Sequence, residues 1–344
     1  MIQIQLGFWR LRNKMARRKK ISPYENTIKG RIFEFVLKDL IKKAGFNLDV
    51  EIDQLVKSKK KRLRGRGSTY DPDFIGEFPI IIPFSYPFLL IGEAKYHKKI
   101  IEVKTAREFL GSFIDISQFS RIDTKSKMFK YSQIFHNKRY NYIPVMFSKS
   151  GFRRNAQALM WTHGIYFISY ENSPIFDEIN KKIDAVLKKI DYSLLDKDDL
   201  KKLDTLESFK SIKDNARKEG YDEAIEKLIS LLNPIKSYLG ILDRLWPVHF
   251  LYKAKSELKP SLKTRESKVI IEDNKVIVKR TLHKNSQNLG FFTLPKYFLE
   301  EYKKIAEKKK TAVMKELLLY INRENKVYPY YINLNKMKEG DKND

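Results

Sequence analysis

Tyr70-Asp71-Pro72-Asp73-Phe74-Ile75 and Leu90-Ile91-Gly92-Glu93-Ala94-Lys95 are the two stretches on which the reading of this chain turns. In the first, an acid follows proline at the start of an apolar run. In the second, an acid and an ammonium two residues apart cap the run FLLIG. Strand side chains alternate faces, so Glu93 and Lys95 project to one side and Ala94 to the other. Residues 71–82 and 88–96 read as two strands joined by the turn PFSYP at 83–87. If they pair as neighbours, Asp73 stands beside Glu93. Nineteen residues separate the two acids, with prolines at 79, 83 and 87, which makes a long hairpin.

Around this hairpin the chain alternates helix and strand. Residues 22–45 read as a helix that starts near Ser22-Pro23 and stops at Gly45, with Ile28, Ile32, Phe33, Val36, Leu37, Leu40 and Ile41 on one wide apolar face. A strand is expected over Phe46–Val56, a helix over Thr105–Phe119 and a buried strand over Tyr142–Phe147. Ser150-Gly151 then turns the chain into a helix over Arg153–His163, which Gly164 ends, and Ile165–Ser169 is one more strand. The expectation is a mixed α/β layer with its carboxylates at strand ends.

Hydrolysis of a phosphodiester needs a Lewis acid, a nucleophilic water and help for the leaving oxygen. Converging carboxylates supply the metal site, and a nearby ammonium steadies the charge of the transition state. Cysteine is absent, and the five histidines (His97, His136, His163, His249, His283) show no zinc-ligand spacing. Thiolate chemistry and disulfides are excluded, and a metal held by carboxylates would be Mg²⁺ or Mn²⁺.

Pro72-Asp73 and Glu93-Ala94-Lys95 resemble the two halves of the PD-(D/E)xK nuclease motif. The order of elements resembles the restriction-endonuclease core of that superfamily. The resemblance implies that Asp73 and Glu93 bind Mg²⁺, that the Ala94 carbonyl is an extra ligand and that Lys95 positions the attacking water. The stretch from Lys29-Gly30-Arg31 through Glu34 to Gly45-Phe46 is similar to the first helix of Mrr-like restriction enzymes and archaeal Holliday junction resolvases. There a glutamate on this helix leans towards the metal, which implies Glu34, with Glu25 as its competitor. Gly30, one turn earlier, is expected to let another backbone approach. PVMFSKSGFRRNAQALMWTHGIYFIS is similar to the end of the Mrr-like fold, so the likeness spans roughly residues 25–170. The chain departs from RecB-like exonucleases: no Gln-x-x-x-Tyr follows Lys95.

The formal net charge is +27, and it is unevenly placed. Residues 1–190 hold 37 Lys and Arg against 18 Asp and Glu, a balance of +19, and residues 191–344 hold 32 against 24, a balance of +8. Such an excess implies a polyanionic partner, nucleic acid first and an anionic membrane surface second. Residues 57–66 carry seven cations and no acid: Lys57, Lys59, Lys60, Lys61, Arg62, Arg64 and Arg66. A phosphate backbone crossing the active site would meet this loop and release counterions. Arg153 and Arg154, near a helix N-terminus, are further candidate phosphate contacts. The alternative reading of both is a solvated charged surface.

Three regions are expected: a basic extension over 1–20, a nuclease domain over 21–190 and an accessory domain over 191–344. Charged helices are expected from about 176, at 177–190, 197–218 and 221–233; the last region is read as mainly helical, with the latter two, another helix at 311–325 and a β-hairpin over 268–282 around Asp273-Asn274. It would choose the substrate or build a homodimer. Met15, opening MARRKK, is a second candidate start. The apolar stretch Phe78–Ile91 is interrupted by proline and shorter than the about 20 residues of a membrane span, so a cytoplasmic protein with no membrane partner is expected. The sequence thus points to a Mg²⁺-dependent DNA endonuclease, with a junction-resolvase-like repair nuclease and an inactive DNA-binding protein on a nuclease scaffold as alternatives.

Overall fold

The computed structural model describes residues 23–50, 52, 55–56, 62–78, 84–118, 140–243, 245–253, 265–272, 275–282, 285–295, 299–300, 304, 316–323 and 326–336. Helix α1 spans Pro23–Lys43, and the seven apolar residues recurring at helical spacing are all buried. It stops where expected. Gly45 adopts φ 98°, Phe46 N–H bonds back to Ile41 C=O and Gly45 N–H to Lys42 C=O, the Schellman pattern that a left-handed residue permits.

A four-stranded sheet follows, in the order β4 (Phe74–Phe78), β5 (Phe88–Lys95), β6 (Asn141–Ser148) and β7 (Tyr166–Ser169). β4 runs antiparallel to β5, and β5, β6 and β7 are parallel. The alternation of side chains separates two cores. Leu90, Ala94, Val145 and Phe147 pack with α1 and α4 (Pro174–Lys188). Leu89, Ile91, Met146 and Phe167 pack with α2 (Val103–Ser117) and α3 (Arg154–Thr162). A small antiparallel sheet of β1 (Leu55–Val56), β2 (Arg62–Arg64) and β3 (Thr69–Tyr70) precedes β4.

The chain is therefore mixed α/β, but several local expectations need correction. Among the described residues, the strand expected over Phe46–Val56 is present as an isolated bridge between Asn47 and Glu77 and the two residues of β1. The helix expected over 197–218 is broken into α5 (Lys197–Lys202) and two 3-10 turns, Glu207–Ser211 and Asp214–Ala216. Short polar side chains here bond the backbone themselves: Asp196 caps α5, and the Ser208 hydroxyl accepts from the N–H groups of Asp204 and Thr205. Helix α6 (Tyr221–Leu232) is as expected.

Beyond it the expectation of a mainly helical region fails. Seven strands, β8 (Ile235–Leu242), β9 (Trp246–Lys253), β10 (Arg265–Glu272), β11 (Lys275–Leu282), β12 (Asn285–Thr293), β13 (Glu316–Arg323) and β14 (Lys326–Lys336), close a barrel in the order β10-β11-β12-β9-β8-β13-β14. The hairpin expected at 268–282 is present as β10–β11, its turn residues Asp273 and Asn274 lying outside the described residues. The helix expected over 311–325 is strand β13 where it is described, with Leu317 and Leu319 buried and Glu316, Leu318 and Tyr320 half-buried. A short run such as ELLLYIN satisfies helical and strand spacing alike, and pairing with β8 and β14 decides it.

The division expected at residue 190 is not a break in packing. One hydrophobic core joins Phe35 and Leu37 of α1, Ile183 of α4, Phe209 and Leu228. Arg31 reaches across to the carbonyls of Leu200 and Leu203, and Lys43 Nζ donates to Leu232 C=O at 2.8 Å. Between sheet and barrel, buried Tyr170, His249 and Ser237 form a hydrogen-bonded chain, 2.6 Å at each ring nitrogen of the histidine. No described helix is long and apolar enough to cross a membrane.

Candidate active site

β5 carries both Glu93 and Lys95 at its carboxyl end, and their side chains form an ion pair there, each about one-fifth exposed. Asp73 immediately precedes β4. Since Phe74 pairs with Gly92, the next residue outward along the ladder places Asp73 across from Glu93. Its Oδ2 accepts a hydrogen bond from Ala94 N–H at 2.6 Å. Gly92 is needed for this approach: a Cβ there would lie 2.2 Å from the Phe74 ring.

Burial is the main force on Asp73. It pushes the carboxyl up to about 8, and the charges of Glu93 and Glu34 add to the rise, while the Ala94 N–H and Lys95 oppose it. Glu34 is also raised, first by burial, with Lys38 and Arg31 opposing and Glu93 adding. Burial pulls the Lys95 ammonium down, but Glu93, Asp73 and Glu34 together hold it above its ordinary value. These shared influences bring Glu34 from α1, Asp73 before β4 and Glu93 and Lys95 on β5 into one electrostatic cluster. Glu25 is not part of it; its charge acts on Tyr192. The role expected for Gly30 is corrected: among the described residues, a Cβ there would meet nothing within 4 Å.

Glu93 and Lys95 face a cleft of about 200 Å³ between β5 and α2. Tyr70, Asp71 and Pro72 form its second wall, and Thr105, Glu108 and Ser112 line it from α2. Sequence reading missed these α2 residues. The helix was legible, but which of its faces meets β5 depends on how it packs.

Among the described residues, no group of three or more His, Asp or Glu stands arranged to hold a metal ion. The donor chemistry nevertheless fits Mg²⁺ or Mn²⁺. Asp73, Glu93 and the Ala94 carbonyl offer hard oxygens, and Mg²⁺ is usually bound by one or two carboxylates with the rest from water and phosphate. A cation there would also reverse the rise of Asp73, which is driven in part by like charge.

Of the basic loop, Lys57, Lys59, Lys60 and Lys61 lie outside the described residues. Arg62 and Arg64 are exposed on β2 on either side of buried Leu63. Arg66 lies in the β2–β3 turn, which α2 holds in place. Arg66 N–H donates to Asp115 C=O at 3.1 Å, Gly67 N–H to the Asp115 carboxylate at 3.1 Å, and Arg66 Nη1 to Gln118 Oε1 at 2.9 Å. The loop's described end is therefore fixed beside the wall that carries Tyr70. Arg153 caps α3 and stands 3.4 Å from Glu102, and Arg154 is exposed in the first turn. Both follow the carboxyl end of β6, whose Ser148 pairs with Lys95.

No family model matches the chain, and no curated protein matches it. Among solved structures it is similar to the crystal structure of a protein of unknown function, AF1548, at 14% identity and a TM-score of 0.32, over 59% of this chain and 97% of that one. A likeness at that score carries no argument about fold or activity.

Proposed function

We propose that this protein is a divalent-metal-dependent DNA endonuclease of the restriction-endonuclease-like, PD-(D/E)xK kind. The observation that carries the reading is that Asp73 stands across the β4–β5 ladder from Glu93, with Glu93 and Lys95 facing one cleft and the charge of Glu34 on α1 acting on the same groups. Asp73, Glu93 and the Ala94 carbonyl would hold the cation. Bound there, it supplies Lewis-acid polarisation of the phosphoryl oxygen. Lys95, kept protonated by its acidic neighbours, donates hydrogen bonds to the attacking water and to the developing charge. Glu34, on α1, acts electrostatically on Asp73 and Lys95. Arg62, Arg64 and the lysines before them, with Arg153 and Arg154, would track the phosphate backbone. DNA is the partner that the +27 charge favours.

The test is nicking of supercoiled plasmid by the full chain in Mg²⁺ and in EDTA, beside the Lys95→Ala variant. Cleavage that requires both the cation and Lys95 supports the reading; cleavage in excess EDTA sinks it. A second reading, a DNA-binding protein on an inactive nuclease scaffold, draws on the pairing of Glu93 with Lys95 and the lack of a poised acidic trio among the described residues. Tight DNA binding with no cleavage in either Mg²⁺ or Mn²⁺ would favour it.

A further inference from the structure

The cleft beside Lys95 has an apolar end that phosphodiester hydrolysis does not use. Ile91 on β5 and Phe109 and Ile116 on α2 line it and are buried, whereas Glu93 and Lys95 are partly open to solvent. A phosphate with its hydrated cation gains nothing from such a wall, but a planar heteroaromatic ring does. At about 200 Å³ the cleft is smaller than the ~300–1,000 Å³ of pockets for drug-sized ligands, so it holds one ring system. The Tyr70 ring borders it and is held in place by the hydrogen bond of its hydroxyl to Asp115. That gives a preset aromatic surface on which a base can stack. Along α2, Thr105, Glu108 and Ser112 lie on the one face that lines the cleft. Their hydroxyl and carboxylate oxygens accept hydrogen bonds, and the exocyclic amino group of a base donates them.

We propose that this cleft takes one unpaired nucleobase of the substrate strand, adjacent to the phosphodiester presented to Asp73, Glu93 and Lys95, and that Glu108 favours bases bearing an exocyclic amine. The proposal rests on the nuclease reading for the identity of the ligand. A base inside an intact duplex is stacked on both faces and cannot enter, so the substrate is a single strand, a fork or a site where a base swings out.

The experiment is direct. A short oligothymidylate with one central 2-aminopurine, which carries an exocyclic amine, is titrated with the full chain in EDTA so that no cleavage occurs. Fluorescence of 2-aminopurine reports stacking, and anisotropy of an end label reports binding. The expected result is a several-fold change in 2-aminopurine emission on the single strand and little change in the matching duplex. Ser112→Phe, which fills the cleft from α2, should remove the change while anisotropy still reports bound oligonucleotide. Glu108→Ala, at an exposed position, removes the acceptor and should reduce the preference for 2-aminopurine over thymine by roughly tenfold, as for removal of one hydrogen bond to a base edge. Oligonucleotide that binds without a fluorescence change, that fails to bind as a single strand, or that responds identically with both variants overturns the proposal. Because the readout needs no cleavage, an absence of plasmid nicking in Mg²⁺ would remove the nuclease reading and leave this result standing.

Discussion

The Asp73 carboxylate accepts a hydrogen bond from Ala94 N–H at 2.6 Å, which ties the start of β4 to the strand that carries Glu93 and Lys95. That bond holds one half-buried acid across the ladder from another. An arrangement of this kind costs stability unless a proton or a cation neutralises it.

Replacing Asp73, Glu93 or Lys95 with alanine should each lower plasmid cleavage by at least about 100-fold, the scale of losing one group that stabilises transition-state charge. Glu34→Gln should cost less, because Glu34 is not among the groups proposed to hold the cation or the attacking water and does not line the cleft. Circular dichroism of each variant shows whether the fold is kept. A Lys95→Ala variant that cuts near the wild-type rate in Mg²⁺ would show that the motif has been misassigned.

Stability should follow the proton on Asp73. Its folded carboxyl is raised from 3.8 to about 8, chiefly by burial and then by Glu93 and Glu34, so the folded chain holds this proton more tightly than the unfolded chain. The contribution is fully present below pH 3.8 and is lost as pH rises through about 8. In EDTA, Asp73→Asn should therefore melt with the wild type near pH 4 and several degrees above it at pH 8. Added Mg²⁺ should raise the wild type at pH 8 and leave the variant where it was. A gap in melting temperature that does not change with pH would contradict this account.

Changing Lys59, Lys60, Lys61 and Arg62 to serine should weaken binding to all DNA sequences alike, since phosphate contacts carry no sequence information. The slope of log affinity against log salt should flatten by about 0.9 for each duplex phosphate that the variant no longer neutralises. An unchanged slope would mean that this segment does not touch DNA.

Gly30→Ala should stabilise the chain by roughly 0.5–1 kcal/mol, because α1 gains a better helix former and the new methyl meets no atom within 4 Å. Chemical denaturation measures it. A loss of stability would mean that the space beside Gly30 is filled by something the described residues do not include.

The halves should not separate. A chain ending near Lys189 would bare Phe35, which packs edge-on against Phe209 at 5.9 Å, and would leave Tyr170 without His249. Such a truncation should fail to give a folded soluble product. In the full chain, Tyr170→Phe should cost about 1–3 kcal/mol by orphaning a buried histidine nitrogen. A folded truncation that melts cooperatively would refute the view of one continuous core.

Local chemistry made much of this protein legible from its sequence. The apolar period of 3.6 fixed α1, and Gly45 ended it, because only backbone geometry within a few residues is involved. The alternation of a strand put Glu93 and Lys95 on one side before any fold was known. Pairings between distant segments were not legible. The β13 run ELLLYIN is apolar enough for a helix or a strand, and hydrogen bonds to β8 and β14, offered by residues far along the chain, closed it into a barrel. The polar residues of 197–218 suit a helical face, yet beyond α5 the Ser208 hydroxyl captures the backbone donors of Asp204 and Thr205 and the helix does not continue. The candidate site divides in the same way. Pro72-Asp73 and Glu93-Ala94-Lys95 could be read directly from the chain, but the choice of Glu34 over Glu25, the seating of Glu108 and Ser112 in the cleft and the burial that raises Asp73 all depend on which faces of α1 and α2 meet the sheet. Tertiary packing sets that orientation, because burial and electrostatic distance are properties of the assembled fold and not of residue order.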